Sequence, residues 1–213
     1  MQTTQNPHAG QPVRRKGPVP AQARLAVILV HGRGDSAAGI LGLVDEFEVA
    51  DVTWIAPNAA GNTWYPYSFM VPTAQNEPGL TSGLGVIGGL VNTLGAEGIE
   101  PDRIVLMGFS QGACLSQEFA ARNARRYHAV IGLSGGLIGP PGTPRNYAGS
   151  FGGTPVFLGC SDIDPHIPLE RVHESAEVFR RMGATVDERI YPRLGHTVNY
   201  DEIEAVRALL KAR

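Results

Sequence analysis

Leu106-Met107-Gly108-Phe109-Ser110-Gln111-Gly112-Ala113 is the stretch that decides the fold. An apolar run, Arg103-Ile104-Val105-Leu106-Met107, stops abruptly at a Gly-x-Ser-x-Gly pentapeptide, and an amphipathic stretch over 113–124 follows at once. That order reads as strand, sharp turn, helix. Such a turn lifts a serine hydroxyl clear of the end of a sheet, and glycines flank it because a Cβ there would collide with neighbouring backbone. In a chain with 27 glycines the pentapeptide alone is weak, so the flanking strand and helix carry the reading.

Working outward, Leu25-Ala26-Val27-Ile28-Leu29-Val30 is apolar throughout, as expected of a parallel strand covered on both faces. A loop over 31–36 precedes residues 37–47, where Ile40, Leu41, Val44 and Phe47 keep a helical spacing. Residues 52–56 read as a second strand. Residues 57–79 carry four prolines and Trp64-Tyr65 with no period, which suits a binding loop or lid. A helix over 80–95, entered through Thr81 or Ser82, follows. After the serine segment, strands are predicted at 129–133, 155–159 and 185–191, the last at an edge, with a helix at 169–182 behind Pro168. A Gly/Pro-rich loop fills 134–153, and Asn199-x-x-Glu202 reads as the capping box of a last helix over 201–211. This alternation predicts an α/β fold with a mostly parallel sheet, helices on both faces, and ligand sites at the carboxyl ends of the strands. Residues 1–22 read as a loose arm or an added edge strand, and 23–213 as a single domain.

A formal net charge of -2 gives no electrostatic footprint for nucleic acid. Two cysteines, Cys114 and Cys160, build neither a disulfide framework nor a zinc site, so a reduced, cytoplasmic setting is the expectation. Arg14-Arg15-Lys16 precedes an apolar run of only six residues, too short for a signal core, and no run approaches the roughly 18 apolar residues of a span. A soluble protein is expected.

Residues just beyond the strands of such a sheet share one rim. There lie His31 to Asp35, Ser110, Asp162 with Asp164, and His196, giving Ser, Asp, His in the order of an α/β-hydrolase triad. The segments His31-Gly32-x-Gly34-Asp35, Gly108-Phe109-Ser110-Gln111-Gly112, Asp164-Pro165-His166-Ile167-Pro168 and Gly195-His196 resemble those of the phospholipase/carboxylesterase branch of α/β-hydrolases, which includes acyl-protein thioesterases. The resemblance runs from about residue 25 to the C-terminus. It implies an α/β-hydrolase fold without a large cap domain and a serine esterase or thioesterase that needs no cofactor or metal and acts on a small-molecule ester. It further implies Ser110 as nucleophile, His196 as general base and then acid, and Asp164 as the group that orients the imidazole. Backbone N–H groups of Arg33 and Gln111 are implied as the oxyanion hole. Counting from the strand end favours Asp162 as the acid, whereas the Asp-Pro-x-x-Pro pattern favours Asp164.

Arg33 stands where these thioesterases usually have an aliphatic residue. Two readings follow: a guanidinium that reaches a carboxylate-bearing substrate, or a solvated side chain contributing only its N–H. Trp64, Tyr65, Tyr67, Phe69 and Met70 suggest an apolar wall, with Trp64 and Tyr65 as substrate contacts, or else an aromatic loop folded on the core. Gly83-x-Gly85-x-x-Gly88 follows no strand and is no nucleotide loop. Asp162, Asp164, His166 and His173 match no strong metal spacing and read as loop and helix surface; His31 is expected to shape the oxyanion loop, and His8 and His128 to be solvated or packed. The competing readings are a non-catalytic α/β-hydrolase-fold protein that binds a small molecule in the old cleft, and an interaction protein that uses the Trp64 to Met70 loop as its docking surface.

Overall fold

The computed structural model describes residues 6–212. Seven strands form one sheet: β1 Val13–Lys16, β2 Leu25–Val30, β3 Val52–Pro57, β4 Ile104–Phe109, β5 Ala129–Leu133, β6 Pro155–Ser161 and β7 Thr185–Tyr191, in spatial order β1-β3-β2-β4-β5-β6-β7. Only β1 runs antiparallel, pairing with β3 through Val13 opposite Pro57 to Lys16 opposite Trp54. The helices are α1 Ala37–Ile40, α2 Gly79–Ala96, α3 Gln111–Arg122, α4 Leu169–Arg181 and α5 Tyr200–Lys211.

Period-two alternation sends each strand's side chains into two cores. Ile28, Leu106, Val130 and Leu158 meet α2, α3 and α4 on one face. Val27, Leu29, Met107, Ile131 and Phe157 meet Phe47 and, from α5, Ile203 and Val206 on the other. Every residue of β2 is buried, the physical reason that its sequence is apolar without alternation. Removing each such side chain from water contributes about 1.5–3 kcal/mol.

Two expectations shift, while the expected loop over 134–153 is kept. Residues 37–47 form a single α-turn that tightens into a 3₁₀ helix from Leu41 to Phe47. Gly39 and Gly42 weaken the α-helix, and the tighter turn still buries Leu41, Val44 and Phe47. Helix α2 starts at Gly79 instead of Thr81 or Ser82, because Thr81 donates its N–H and hydroxyl to the Glu77 carboxylate at 3.0 and 2.8 Å, while the Ser82 hydroxyl accepts the His8 N–H. This helix is long and apolar enough to cross a membrane by length and composition; here Leu80, Ile87, Val91 and Leu94 are buried against the domain. Segment 134–153 links β5 to β6 without a helix.

Candidate active site

The turn from β4 into α3 holds Ser110 at φ 54° and ψ -120°, a left-handed conformation costly for a residue with a Cβ. Its surroundings leave no room to relax. A Cβ on Gly108 would strike the Gly112 carbonyl and one on Gly112 the Val30 carbonyl, so only glycine lets α3 start this close to β2 and β4. The Ser110 N–H donates to the Leu133 carbonyl of β5 at 2.9 Å, locking the turn to the neighbouring strand.

His196 lies between Ser110 and Asp164. Its Nε2 is 2.8 Å from Ser110 Oγ and its Nδ1 2.6 Å from Asp164 Oδ2. With the carboxylate ionised, Nδ1–H donates to Asp164, which leaves Nε2 to accept the serine proton. The Asp164 side chain is fully buried, and burial works to raise its pKa. The hydrogen bond from His196 and the N–H groups of His166 and Ile167, at 2.8 and 3.1 Å, outweigh that and hold the carboxyl below its ordinary value. Asp162 faces elsewhere: its Oδ1 accepts the Arg193 N–H at 2.7 Å in the turn that leads to His196. Counting from the strand end misleads because β6 runs to Ser161, two residues beyond the predicted end.

Gly32 lies against the serine, and a Cβ there would come 3.3 Å from Ser110 Cβ. Arg33 and Gln111 line the same cavity as the serine, and neither backbone N–H has an acceptor among the described residues. His31, fully buried, accepts the Ala59 N–H at Nε2 and donates from Nδ1 to the Gly32 carbonyl at 2.7 Å. Burial lowers its pKa, so it is a neutral brace for this loop.

Above Ser110 and His196 opens a cavity of about 460 Å³, lined among others by Tyr65, Tyr67, Phe69, Phe109, Cys114 and Ile167. Trp64 is not part of it. Its side chain is fully buried, donates its indole N–H to the His31 carbonyl at 3.0 Å and packs against the His8 and His31 rings, so the core has claimed it instead of the cleft. Tyr65, next in the chain, does line the cleft. Arg33 fits neither sequence reading, because its guanidinium donates to the carbonyls of Tyr65, Pro66 and Tyr67.

Two lining residues escaped sequence reasoning. His166 stands edge-on to His196 with ring centroids 4.9 Å apart instead of lying on an outer surface; its place between Asp164 and Pro168 was the signal. Cys114 lies one helical turn beyond Ser110, a spacing that puts both on one side of α3. Burial pushes its thiol up to about 12, so it is a neutral apolar group in the cleft and no competing nucleophile. His173 sits outside, paired with Glu188.

A family model described as phospholipase/carboxylesterase matches residues 18–213. Acyl-protein thioesterase 1 of Gibberella zeae is 28% identical over 91% of this chain and 92% of its own length. A probable carboxylesterase, SOBER1-like, of Arabidopsis thaliana is 24% identical over 91% and 80%. The crystal structure of a phospholipase/carboxylesterase from Dyadobacter fermentans superposes with a TM-score of 0.93 at 41% identity, covering 98% of this chain and 100% of that one.

Proposed function

Because the chain belongs to the phospholipase/carboxylesterase family of α/β-hydrolases, we propose that it is a serine hydrolase that cleaves small carboxylic esters, thioesters included, through an acyl-enzyme on Ser110. The observation that carries the reading is one imidazole bonded to Ser110 Oγ at 2.8 Å and to Asp164 at 2.6 Å. His196 takes the serine proton as Oγ attacks the carbonyl carbon, and Asp164 fixes the tautomer and stabilises the imidazolium. The tetrahedral oxyanion is met by the Arg33 and Gln111 N–H groups. Collapse expels the alcohol or thiol, which receives the proton from His196, and a water activated by the same imidazole releases the acid. No cofactor enters this cycle. Relatives named as thioesterases and carboxylesterases support the ester and thioester range.

A panel of p-nitrophenyl esters from acetate to laurate, hydrolysed by wild type and Ser110→Ala in parallel, tests the proposal. Turnover lost only in the variant is expected. Equal turnover in both, or none on any ester with no fluorophosphonate labelling, would favour the non-catalytic binding protein.

A further inference from the structure

We propose that the Arg33 side chain is a positioning residue: it ties the aromatic wall of the cleft to the peptide that carries its own N–H, and it does not read substrate charge. The inference rests on the hydrolase reading above. Arg33 Nη1 donates to the Pro66 carbonyl at 2.9 Å, and Nη2 donates to the carbonyls of Tyr65 and Tyr67 at 2.9 and 2.7 Å. Gln111, next to Ser110 in the chain, grips the same segment. Its Oε1 accepts the Trp64 N–H and its Nε2 donates to the Tyr65 carbonyl, both at 2.8 Å. The two residues assigned to the oxyanion hole by their backbone therefore both fasten residues 64–67 by their side chains. Pressure of a substrate on Tyr65 or Tyr67 is carried directly to the hole.

The same bonds decide against carboxylate recognition. A guanidinium grips a carboxylate in a fork, through Nε and Nη2 or through Nη1 and Nη2. Both forks need Nη2, whose two N–H groups are already donated. Asp35 lines the same cleft and adds repulsion for an incoming anion. Acyl groups without charge are the class that fits. Lysine cannot replace the fork, because a single compact ammonium does not span three successive carbonyls.

The test compares wild type, Arg33→Met and Arg33→Lys on p-nitrophenyl acetate, p-nitrophenyl hexanoate and mono-p-nitrophenyl adipate, which matches hexanoate in length but ends in a carboxylate. Rates are expressed per fluorophosphonate-titrated site, so misfolded enzyme does not count. In Arg33→Met, kcat is expected to fall about tenfold or more on all three esters alike, with KM for acetate changed less than about threefold. Arg33→Lys is expected to recover only part of the loss. A loss confined to the adipate ester and rescued by lysine would overturn the inference, as would unchanged kcat on the two neutral esters. Ser110→Ala separates the two levels: if it remains active the hydrolase reading itself has failed, and if it is dead while Arg33→Met is unimpaired only this inference has.

Discussion

Ser110, Asp164 and His196 stand on turns that directly follow β4, β6 and β7, whereas the wall facing them, residues 64–69 with 134–139 behind it, belongs to segments with no strand or helix. On the rim, position comes from the sheet ladder and needs little beyond local turn chemistry. In the wall, backbone groups that no ladder satisfies are met one at a time by distant side chains. His8 bonds the Trp64 carbonyl at 2.8 Å, Asn76 accepts the Tyr67 N–H at 2.9 Å and donates to the Ser68 carbonyl, and Arg33 and Gln111 take residues 64–67. Behind them Arg171, 2% exposed, donates to the carbonyls of Leu137 and Gly139 and to Glu174, and Gly139 donates its N–H to the Phe69 carbonyl at 2.8 Å. Substitutions on the rim should therefore change rate, and those in the wall stability and substrate fit.

The sharpest contrast lies within the rim, between neighbouring aspartates. Asp164→Asn is expected to lower kcat by roughly 10³–10⁴, since an amide no longer holds the imidazole tautomer. Asp162→Asn keeps an oxygen for the Arg193 N–H and is expected to cost less than about tenfold. Steady-state kinetics on one ester checks both, and equal losses would dissolve the distinction.

That contrast also marks the limit of what the sequence discloses. Strand β2 was legible because six buried residues in a row leave no other reading, and the Asn199-x-x-Glu202 box because its partners are three residues apart. The order of rim residues followed from the topology. The wall was not legible: His8 reaches 56 positions along the chain to Trp64, and Arg171 reaches 34 back to Leu137. An arginine on an amphipathic helix looks like a solvated charge, and nothing in its local pattern announces burial. The sequence thus offered Trp64 and Tyr65 as equals, although only packing sends one to the core and the other to the cleft.

Arg171→Met tests the wall. It strips a buried guanidinium from Glu174 and leaves the Gly139 carbonyl without its donor, and it is expected to destabilise the fold by about 3–5 kcal/mol in denaturant titration. With the triad on strand ends, kcat of the folded fraction should stay within a few-fold while KM rises through Phe69, whose ring lies under the guanidinium. A loss of kcat with stability intact would reverse the assignment of the two regions.

The smallest effect concerns a second buried carboxyl, beneath the rim. Glu202 is fully buried against Gly159; its Oε2 accepts the Asn199 N–H at 2.9 Å and its Oε1 has no partner among the described residues. Burial raises its pKa from 4.5 to about 7. The folded protein thus keeps a proton that the unfolded chain releases, so stability declines as pH rises from about 4.5 to 7, by up to about 1.4 kcal/mol per unit, and levels off above. Thermal unfolding across this window should show that slope in wild type and lose it in Glu202→Gln. An identical slope in both would place the titration at another group.

Labelling with a fluorophosphonate followed by peptide mass spectrometry reads out whether Ser110 is a nucleophile activated by His196. One adduct is expected, on the peptide carrying Ser110, absent in Ser110→Ala and strongly slowed in His196→Ala. An adduct on another residue, or undiminished labelling without His196, would show that Ser110 is not a nucleophile activated by that imidazole.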